Sequence, residues 1–180
     1  MKLVKLGLGN VNPTVGAFEE NTDRILELAK QASDESCQVF VVGEQSISGY
    51  PCEDRVQWDD FVKRQGIQLM RLCDALSKLG ATGSPMVSIV GLTVKLDGNL
   101  YNVAAVIANG VPVGLVPKEN LPDYSVFYEG RTMTPGELGM DAAWRADRQT
   151  NIPIGDMIFD FHFKTLNKHG FSLRMEKRGI

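Results

Sequence analysis

The sequence predicts an α/β fold in which helices pack against a sheet of strands. Hydrophobic residues make up 43% and charged residues 23% of the 180 positions, which is an ordinary globular balance. A strand–helix–strand pattern occupies the first 42 residues, and three apolar runs separated by turn signals follow near the middle of the chain. The chain therefore has the pattern of a layered domain with enough apolar sequence to bury a core.

The first strand–helix–strand unit follows from the spacing of its apolar residues. Leu3–Asn10 alternates apolar and other residues, which indicates a strand with at least one buried face. Asn21 or Thr22 can cap a helix that runs to about Ser33. Val39–Val42 is a short continuous apolar run, a pattern typical of an interior strand.

A long helix and a meander of strands are predicted next. Gly43–Asp54 is irregular, and Trp58–Leu79 has helical apolar spacing. Three strands are then predicted at Val87–Leu96, Leu100–Ala108 and Val111–Val116. The Asp97-Gly98 and Asn109-Gly110 pairs between them are hairpin turn signals.

The last part of the chain changes in composition. After Lys118 the pattern is lost until an edge element and a strand are predicted over Ile152–Phe161. Lys164–Ile180 holds five basic residues and one acidic residue. We therefore predict a domain at residues 1–163 and a basic tail at residues 164–180. This tail is either a helix or a disordered end, or it is foreign to the domain before it.

Composition excludes several classes of protein. A net charge of −3 gives no general electrostatic footprint for nucleic acid. Three cysteines without a CxxC pair predict neither a disulfide framework nor a zinc site, and they suit a reducing compartment. The uncharged stretch 98–117 contains three asparagines and two prolines, so we do not predict a membrane helix there. We expect a cytoplasmic protein with no leader segment.

The common cofactor and metal motifs are missing from the sequence. GLGNVN at residues 7–12 lacks the third glycine of a dinucleotide fingerprint, and there is no GxxxxGK[ST] or HExxH motif. The two histidines, His162 and His169, lie near the end of the chain. A histidine triad or a metal site is therefore not predicted, and any chemistry must use Glu, Asp, Lys, Cys, Ser or Tyr.

Two charged residues directly follow predicted interior strands. Glu44 comes after Val39–Val42, and Lys118 comes after the strand that ends near Val116. Strand ends of α/β sheets concentrate functional groups, so a partly desolvated Glu44 with a raised pKa is a candidate general base. Lys118 is a candidate for stabilising an oxyanion. The alternative is a solvated carboxylate and a surface lysine.

Two further features could contribute to a site. Cys52 lies in the loop that begins at Glu44, but no histidine is near to activate it, so a packing role is favoured. The loop after Lys118 contains aromatic and charged residues that either line a pocket for a small zwitterion or form a packed surface loop. These residues are Tyr124, Phe127, Tyr128, Glu129 and Arg131.

Taken with their neighbours, these residues resemble a known family. The segments are NPTVG at 12–16, GEQSISGYP at 43–51, LYNVAAV at 100–106 and PKENLPDYSVFYE at 117–129. In this order they resemble the nitrilase superfamily, and more closely the glutaminase domain of glutamine-dependent NAD synthetases. The resemblance runs from about Leu3 to Phe161.

The resemblance implies a fold and a set of site residues. The family fold is an αββα sandwich, of which 180 residues form only an incomplete part with an open edge and an uncovered face. In a Glu–Lys–Cys triad, Glu44 is the base that activates the thiol and Lys118 stabilises the tetrahedral intermediate. Tyr124 matches the position that contacts glutamine, and Glu129 is a candidate second carboxylate.

The resemblance also implies a reaction, partners and cofactors. The cysteine attacks the side-chain amide of L-glutamine, forms a thioester and releases ammonia. The ammonia passes to a synthetase domain that amidates adenylated nicotinic acid adenine dinucleotide. ATP and Mg²⁺ belong to that second domain, so we expect no cofactor for the glutaminase part. We expect the intact family member to be a homo-oligomer that binds neither nucleic acid nor a membrane.

Three features depart from the family pattern. Gly43 replaces a proline before the catalytic glutamate, no cysteine occurs after Cys73, and the SGGxDS loop of the synthetase domain is missing. We therefore expect a truncated or frame-shifted piece of a longer enzyme that is inactive alone. The alternative is a non-catalytic binding or interaction module, or a decayed fragment. An amidase for another substrate is disfavoured by Leu121-Pro122-Asp123-Tyr124.

Overall fold

A seven-stranded sheet with two helices forms the body of the protein. A computed structural model describes residues 3–82, 85–125, 127–146, 150–161 and 175–178. The helices are α1 (Phe18–Asp34) and α2 (Asp59–Thr82), and within the described residues neither is long and apolar enough to cross a membrane. The strands of the sheet are β1 (Leu6–Gly9), β2 (Val39–Val42), β3 (Val87–Leu96), β4 (Asn99–Ala108), β5 (Val111–Pro117), β6 (Asp141–Arg145) and β7 (Asn151–Gly155).

The sheet is mixed, with the order β1-β2-β3-β4-β5-β7-β6. Strands β1, β2 and β3 are parallel, β3 to β5 form an antiparallel meander, and β7 runs parallel to β5 and antiparallel to β6. This confirms the predicted α/β class, and the bounds of β2 and β3 match the prediction. The sequence analysis missed β6, because only Trp144 of its five residues is buried and the others give no apolar pattern.

Both helices lie on one face of the sheet and pack against each other. The rings of Phe18 in α1 and Phe61 in α2 meet edge to face, with centroids 4.9 Å apart. Gly7 of β1 pairs with Phe40 of β2, and a Cβ atom at Gly7 would lie against the side chains of Ala32 in α1 and of Phe40. This face therefore contains the hydrophobic core between the sheet and the helices.

The predicted cap of α1 is wrong, because the helix begins at Phe18 and contains Asn21 and Thr22. Both side chains are completely buried. Thr22 donates its hydroxyl to the carbonyl of Phe18 at 2.7 Å, while Asn21 Nδ2 donates to the carbonyls of Thr14 at 2.8 Å and Ile47 at 3.1 Å. Asn21 thus fastens α1 to two loops, one of which carries Glu44.

The opposite face of the sheet is exposed at its β1 edge. Side chains alternate along a strand, so Leu6 and Leu8 of β1 point away from the helices, and they are 59% and 81% exposed. Val41 and Ile89, which lie in register with Leu8, are only half-buried. One sheet and one helical layer make up half of an αββα sandwich, as predicted for an incomplete domain.

The C-terminal region contains a second, small sheet. The edge element and the strand predicted over Ile152–Phe161 are β7 and β8 (Ile158–Phe161), which belong to different sheets. Strand β8 pairs antiparallel with β9 (Met175–Arg178), so a helix is wrong for these four tail residues. The predicted division at residue 163 lies outside the described residues.

Candidate active site

Glu44 and Lys118 meet at one edge of the sheet although 74 residues separate them. Glu44 stands two residues after β2, and Lys118 directly follows β5. The backbone N–H of Lys118 donates to the carbonyl of Asn102 in β4 at 2.8 Å, which fixes the start of the loop. Lys118 Nζ donates to Glu44 Oε1 at 2.9 Å. The two candidates predicted from strand ends are therefore in direct contact.

Glu129 and Asn102 complete this group. Glu129 opens a short 3-10 helix, Glu129–Arg131, and its side chain is only 5% exposed. Lys118 Nζ donates to Glu129 Oε2 at 2.8 Å, while Asn102 Nδ2 donates to Glu44 Oε1 and, at 3.4 Å, to Glu129 Oε1. We call Glu44, Asn102, Lys118 and Glu129 the carboxylate–lysine cluster.

Asn102 was not predicted as a site residue. It interrupts an otherwise apolar strand and is 3% exposed. A buried amide needs hydrogen-bonding partners, so an asparagine inside an apolar run is a usable sequence signal for a polar site. The partners themselves, two carboxyls from distant loops, could only be seen in the folded chain.

The two carboxyls of the cluster have opposite pKa shifts. Burial disfavours ionisation of Glu44, but hydrogen bonds from Glu129, Lys118 and Asn102 outweigh it and hold the pKa of Glu44 below its usual value. Burial raises the pKa of Glu129, and the hydrogen bond and negative charge of Glu44 raise it further against the effect of Lys118. The expectation of a raised pKa at Glu44 is therefore wrong, and Glu129 is the carboxyl of the pair whose pKa is raised.

Lys118 supplies the positive charge of the cluster. Burial lowers its pKa, but hydrogen bonds to Glu129 and Glu44 and their negative charge outweigh burial and raise it. The ammonium of Lys118 thus lies between a carboxyl whose pKa is lowered and one whose pKa is raised. The cluster can accept a proton at Glu44 and stabilise a developing negative charge at Lys118.

The loop that carries Glu44 lies directly on β3. A Cβ atom at Gly91 would stand 2.5 Å from the backbone nitrogen of Gln45 and 2.7 Å from the carbonyl oxygen of Gly43, so only glycine permits this approach. The backbone N–H of Ile47 donates to the carbonyl of Gly91 at 3.4 Å. The position of Glu44 thus depends on a glycine in the neighbouring strand.

Tyr50 is a second site residue that the sequence analysis missed. It hydrogen-bonds with Glu129, and burial together with the charges of Glu129 and Glu44 raises its pKa to about 12. Its ring lies 6.3 Å from that of Phe127, which in turn contacts Tyr124 edge to face at 5.6 Å. Tyr124, the residue predicted to contact glutamine, is 67% exposed and is linked to the cluster through these two rings.

Cys52 is a packing residue, as predicted. Its side chain is buried, and its thiol lies 2.8 Å from Gln45 Oε1 and 2.7 Å from the carbonyl of Gly49. Burial raises the pKa of this thiol to about 11, against the effect of its hydrogen bond to Ser48, which lowers it. The neutral thiol is a poor nucleophile. Cys37 and Cys73 are buried as well.

A cavity of about 270 Å³ adjoins the cluster. Glu129 and Tyr50 form part of its wall, and Cys52, Asp54 and Arg131 also line it. The loop after Lys118 therefore lines a pocket with at least some of its residues, which favours that interpretation over a packed surface loop. Among the residues that the structure describes, no group of three or more His, Cys, Asp or Glu side chains is placed to hold a metal ion.

Comparison with known proteins identifies relatives of this chain. The profile of the carbon-nitrogen hydrolase family matches residues 5–152. The glutamine-dependent NAD(+) synthetases of Acinetobacter baylyi and Thermotoga maritima are 32% and 33% identical to the chain over 137 residues. These matches cover 76% of the chain but 24% and 23% of the relatives, so the chain spans about a quarter of their length.

A solved structure shares the fold. The crystal structure of a glutamine-dependent NAD(+) synthetase from Cytophaga hutchinsonii superposes with a TM-score of 0.78 and 22% sequence identity. The superposition covers 87% of this chain and 26% of that one. It confirms the predicted fold, in which one sheet with its helices corresponds to part of a larger domain.

Proposed function

This chain belongs to the carbon-nitrogen hydrolase family, and we propose that Glu44, Lys118 and Glu129 are the base, the cation and the supporting acid of a glutaminase site. The observation that carries the proposal is the position of Lys118 Nζ, 2.9 Å from Glu44 and 2.8 Å from Glu129. A cation held between two carboxyls suits the transfer of an acyl group from an amide, in which a proton moves and an oxyanion forms.

The proposed reaction uses each member of the cluster in turn. A thiol attacks the amide carbon of glutamine while Glu44 takes the thiol proton, and the ammonium of Lys118 stabilises the oxyanion that forms. The carbon–nitrogen bond then breaks, and the nitrogen takes the proton from Glu44 to leave as ammonia. Water hydrolyses the resulting thioester to glutamate. Glu129 keeps Lys118 in place throughout.

The nucleophile is the part of this site that these 180 residues do not supply. The three cysteines are buried, and the thiol nearest to the cluster in sequence, Cys52, has a pKa of about 11. We therefore propose that the chain by itself binds glutamine without hydrolysing it. A decayed fragment, the alternative, would also lack hydrolysis, but it would not need an intact cluster and cavity.

The relatives suggest the wider role. Since they are glutamine-dependent NAD(+) synthetases, we propose that the ammonia serves the amidation of nicotinic acid adenine dinucleotide by a synthetase domain. The glutaminase step itself is proposed to need no cofactor, with ATP and Mg²⁺ confined to the synthetase. We further propose a cytoplasmic homo-oligomer for the intact enzyme.

We expect the purified chain to bind L-glutamine and to release no ammonia from it. The cluster and cavity supply a binding site, whereas loss of a covalent nucleophile removes the acyl-enzyme route. Binding is measured by ligand-detected NMR, and ammonia by a coupled glutamate dehydrogenase assay. Sustained ammonia release would contradict the proposed inactivity. Failure of a folded chain to bind glutamine would favour the decayed fragment.

In an intact relative, we expect the substitutions equivalent to Glu44→Gln and Lys118→Ala to abolish glutamine-driven synthesis of NAD and to leave ammonia-driven synthesis. Each removes a group that acts on the transition state, so glutamine-driven rates should fall by about 10²-fold or more. Glu119→Gln, an exposed neighbour of Lys118, is the matched control. Loss of both activities in a folded variant would refute the assigned roles.

A further inference from the structure

The cavity beside the cluster has charged groups of opposite sign in its wall. Asp54 follows the first residue of a 3-10 helix, Glu53–Gln57, and Arg131 ends the helix that begins at Glu129. Both line the cavity of about 270 Å³ whose wall also includes Glu129 and Tyr50. A molecule in this cavity would therefore lie beside both charges and beside Glu129, the member of the carboxylate–lysine cluster that lines the cavity.

The two charges form no ion pair with each other or with any other residue that the structure describes. The Arg131 guanidinium lies 5.4 Å from the centre of the Tyr128 ring, within the range of a cation–π contact. Asp54 Oδ1 accepts only a long hydrogen bond of 3.4 Å from Gln57. By contrast, neighbouring Glu53 pairs with Arg55 at 3.3 Å.

We propose that this cavity receives the amino-acid end of L-glutamine, with Arg131 binding the α-carboxylate and Asp54 the α-ammonium group. The inference rests on the proposed glutaminase function and adds to it the residues that select an amino acid. A guanidinium can hold a carboxylate through two parallel hydrogen bonds, and an aspartate is a suitable acceptor for an ammonium group. The side-chain amide then extends toward Glu129 and Lys118.

This arrangement explains how a site could distinguish glutamine from simple amides. Asp54 and Arg131 are both exposed, so water solvates them in the free protein, and a zwitterion can pair with both charges at once. An amide without a carboxylate, or one without an amine, can form only one of these two ion pairs.

The test compares four ligands that carry different parts of glutamine. L-Glutamine has all three groups, glutaramic acid lacks the amine, 4-aminobutanamide lacks the carboxylate, and L-norvaline lacks the amide. Dissociation constants are measured by ligand-detected NMR for the chain and for Arg131→Gln and Asp54→Asn. Arg145→Gln and Asp74→Asn are matched controls at exposed positions outside the cavity lining. Thermal melting followed by circular dichroism verifies that each variant is folded.

Each variant should lose affinity for a different set of ligands. Arg131→Gln should raise the dissociation constants of the three ligands with a carboxylate by about tenfold or more, because a hydrogen bond to a charged group is lost. The dissociation constant of 4-aminobutanamide should change by less than about twofold. Asp54→Asn should raise the dissociation constants of the three ligands with an amine and change that of glutaramic acid by less than about twofold. The control variants should bind all four ligands like the unaltered chain.

The remaining outcomes overturn the inference or separate it from the proposed function. The inference is overturned if both variants lose affinity equally for all four ligands, or if their affinities are unchanged. It is also overturned if the unaltered chain binds none of the four ligands. If L-norvaline binds as tightly as L-glutamine and depends on Arg131 and Asp54, the amino-acid site stands and amide recognition fails. If glutamine binds independently of both residues, amide recognition stands and the amino-acid site is refuted.

Discussion

The Gly91→Ala substitution is expected to destabilise the protein by about 3 kcal/mol, at the upper end of the range for overpacking a core. The added methyl group would meet the Gln45 nitrogen at 2.5 Å, the Gly43 oxygen at 2.7 Å and the Glu44 Cα at 2.8 Å. These are backbone atoms, so no side-chain rotation can relieve the contact. The loop must move away from β3, and Glu44 must move with it.

Unfolding in urea measures this effect, with Gly43→Ala as the matched control. A Cβ atom at Gly43 would meet nothing within 4 Å, and its φ angle is not in the left-handed region. We therefore expect Gly43→Ala to change stability by less than about 1 kcal/mol. Similar stability of the two variants would show that the Glu44 loop does not need to lie directly on β3.

The Lys118→Met substitution is expected to reduce stability by about 1–3 kcal/mol at pH 8, the range for losing hydrogen bonds to charged groups. Methionine retains the length of the side chain but leaves Glu44 and Glu129 hydrogen-bonded to each other without a cation. The Glu129 side chain is 5% exposed, so the loss of its hydrogen bond from Lys118 costs stability. The Glu44 side chain is 43% exposed, so water partly replaces the hydrogen bond that it loses.

The loss in Lys118→Met should shrink as the solution is acidified. The lowered pKa of Glu44 stabilises the fold fully above the ordinary carboxyl pKa of 4.5, and this contribution disappears as the pH falls through the folded value. Without Lys118 each carboxyl loses a hydrogen bond that lowers its pKa, so the variant is penalised most above the ordinary carboxyl pKa. The difference in unfolding free energy should be largest at pH 7–8 and decline below about pH 4.5.

Urea unfolding at pH 8, 6 and 4 tests this expectation against Lys95→Met. Lys95 pairs with Asp59 at 2.8 Å, but the two side chains are 44% and 62% exposed, so a much smaller loss is expected. A loss in Lys118→Met that grows on acidification, or that equals the Lys95→Met loss at pH 8, would contradict the description of the cluster.

The local elements were predictable because their signals are local. Val39–Val42 is continuous and apolar, and it forms β2 between two parallel neighbours. The Asp97-Gly98 and Asn109-Gly110 pairs adopt the positive φ angles of tight hairpin turns, as their residue types indicate. The ends of β2 and β5 also marked Glu44 and Lys118 as candidates, since polar groups at such strand ends share one edge of a sheet.

Other features depend on residues far apart in sequence, and the amino-acid order alone did not reveal them. Asn21 resembled a helix cap and is instead a buried link to the loops at Thr14 and Ile47. The direction of the Glu44 pKa shift was mispredicted, because it depends on hydrogen bonds from residues 58, 74 and 85 positions away.

Residue types and their periodicity therefore determined the α/β class, the meander and the two charged strand ends, because backbone propensity and turn chemistry act over a few neighbouring residues. Tertiary structure decided which carboxyl has the raised pKa, which residues surround Lys118 and how Asp54 and Arg131 share a cavity. These depend on burial and on Coulomb energies over a few ångströms, and only the folded chain brings such groups together.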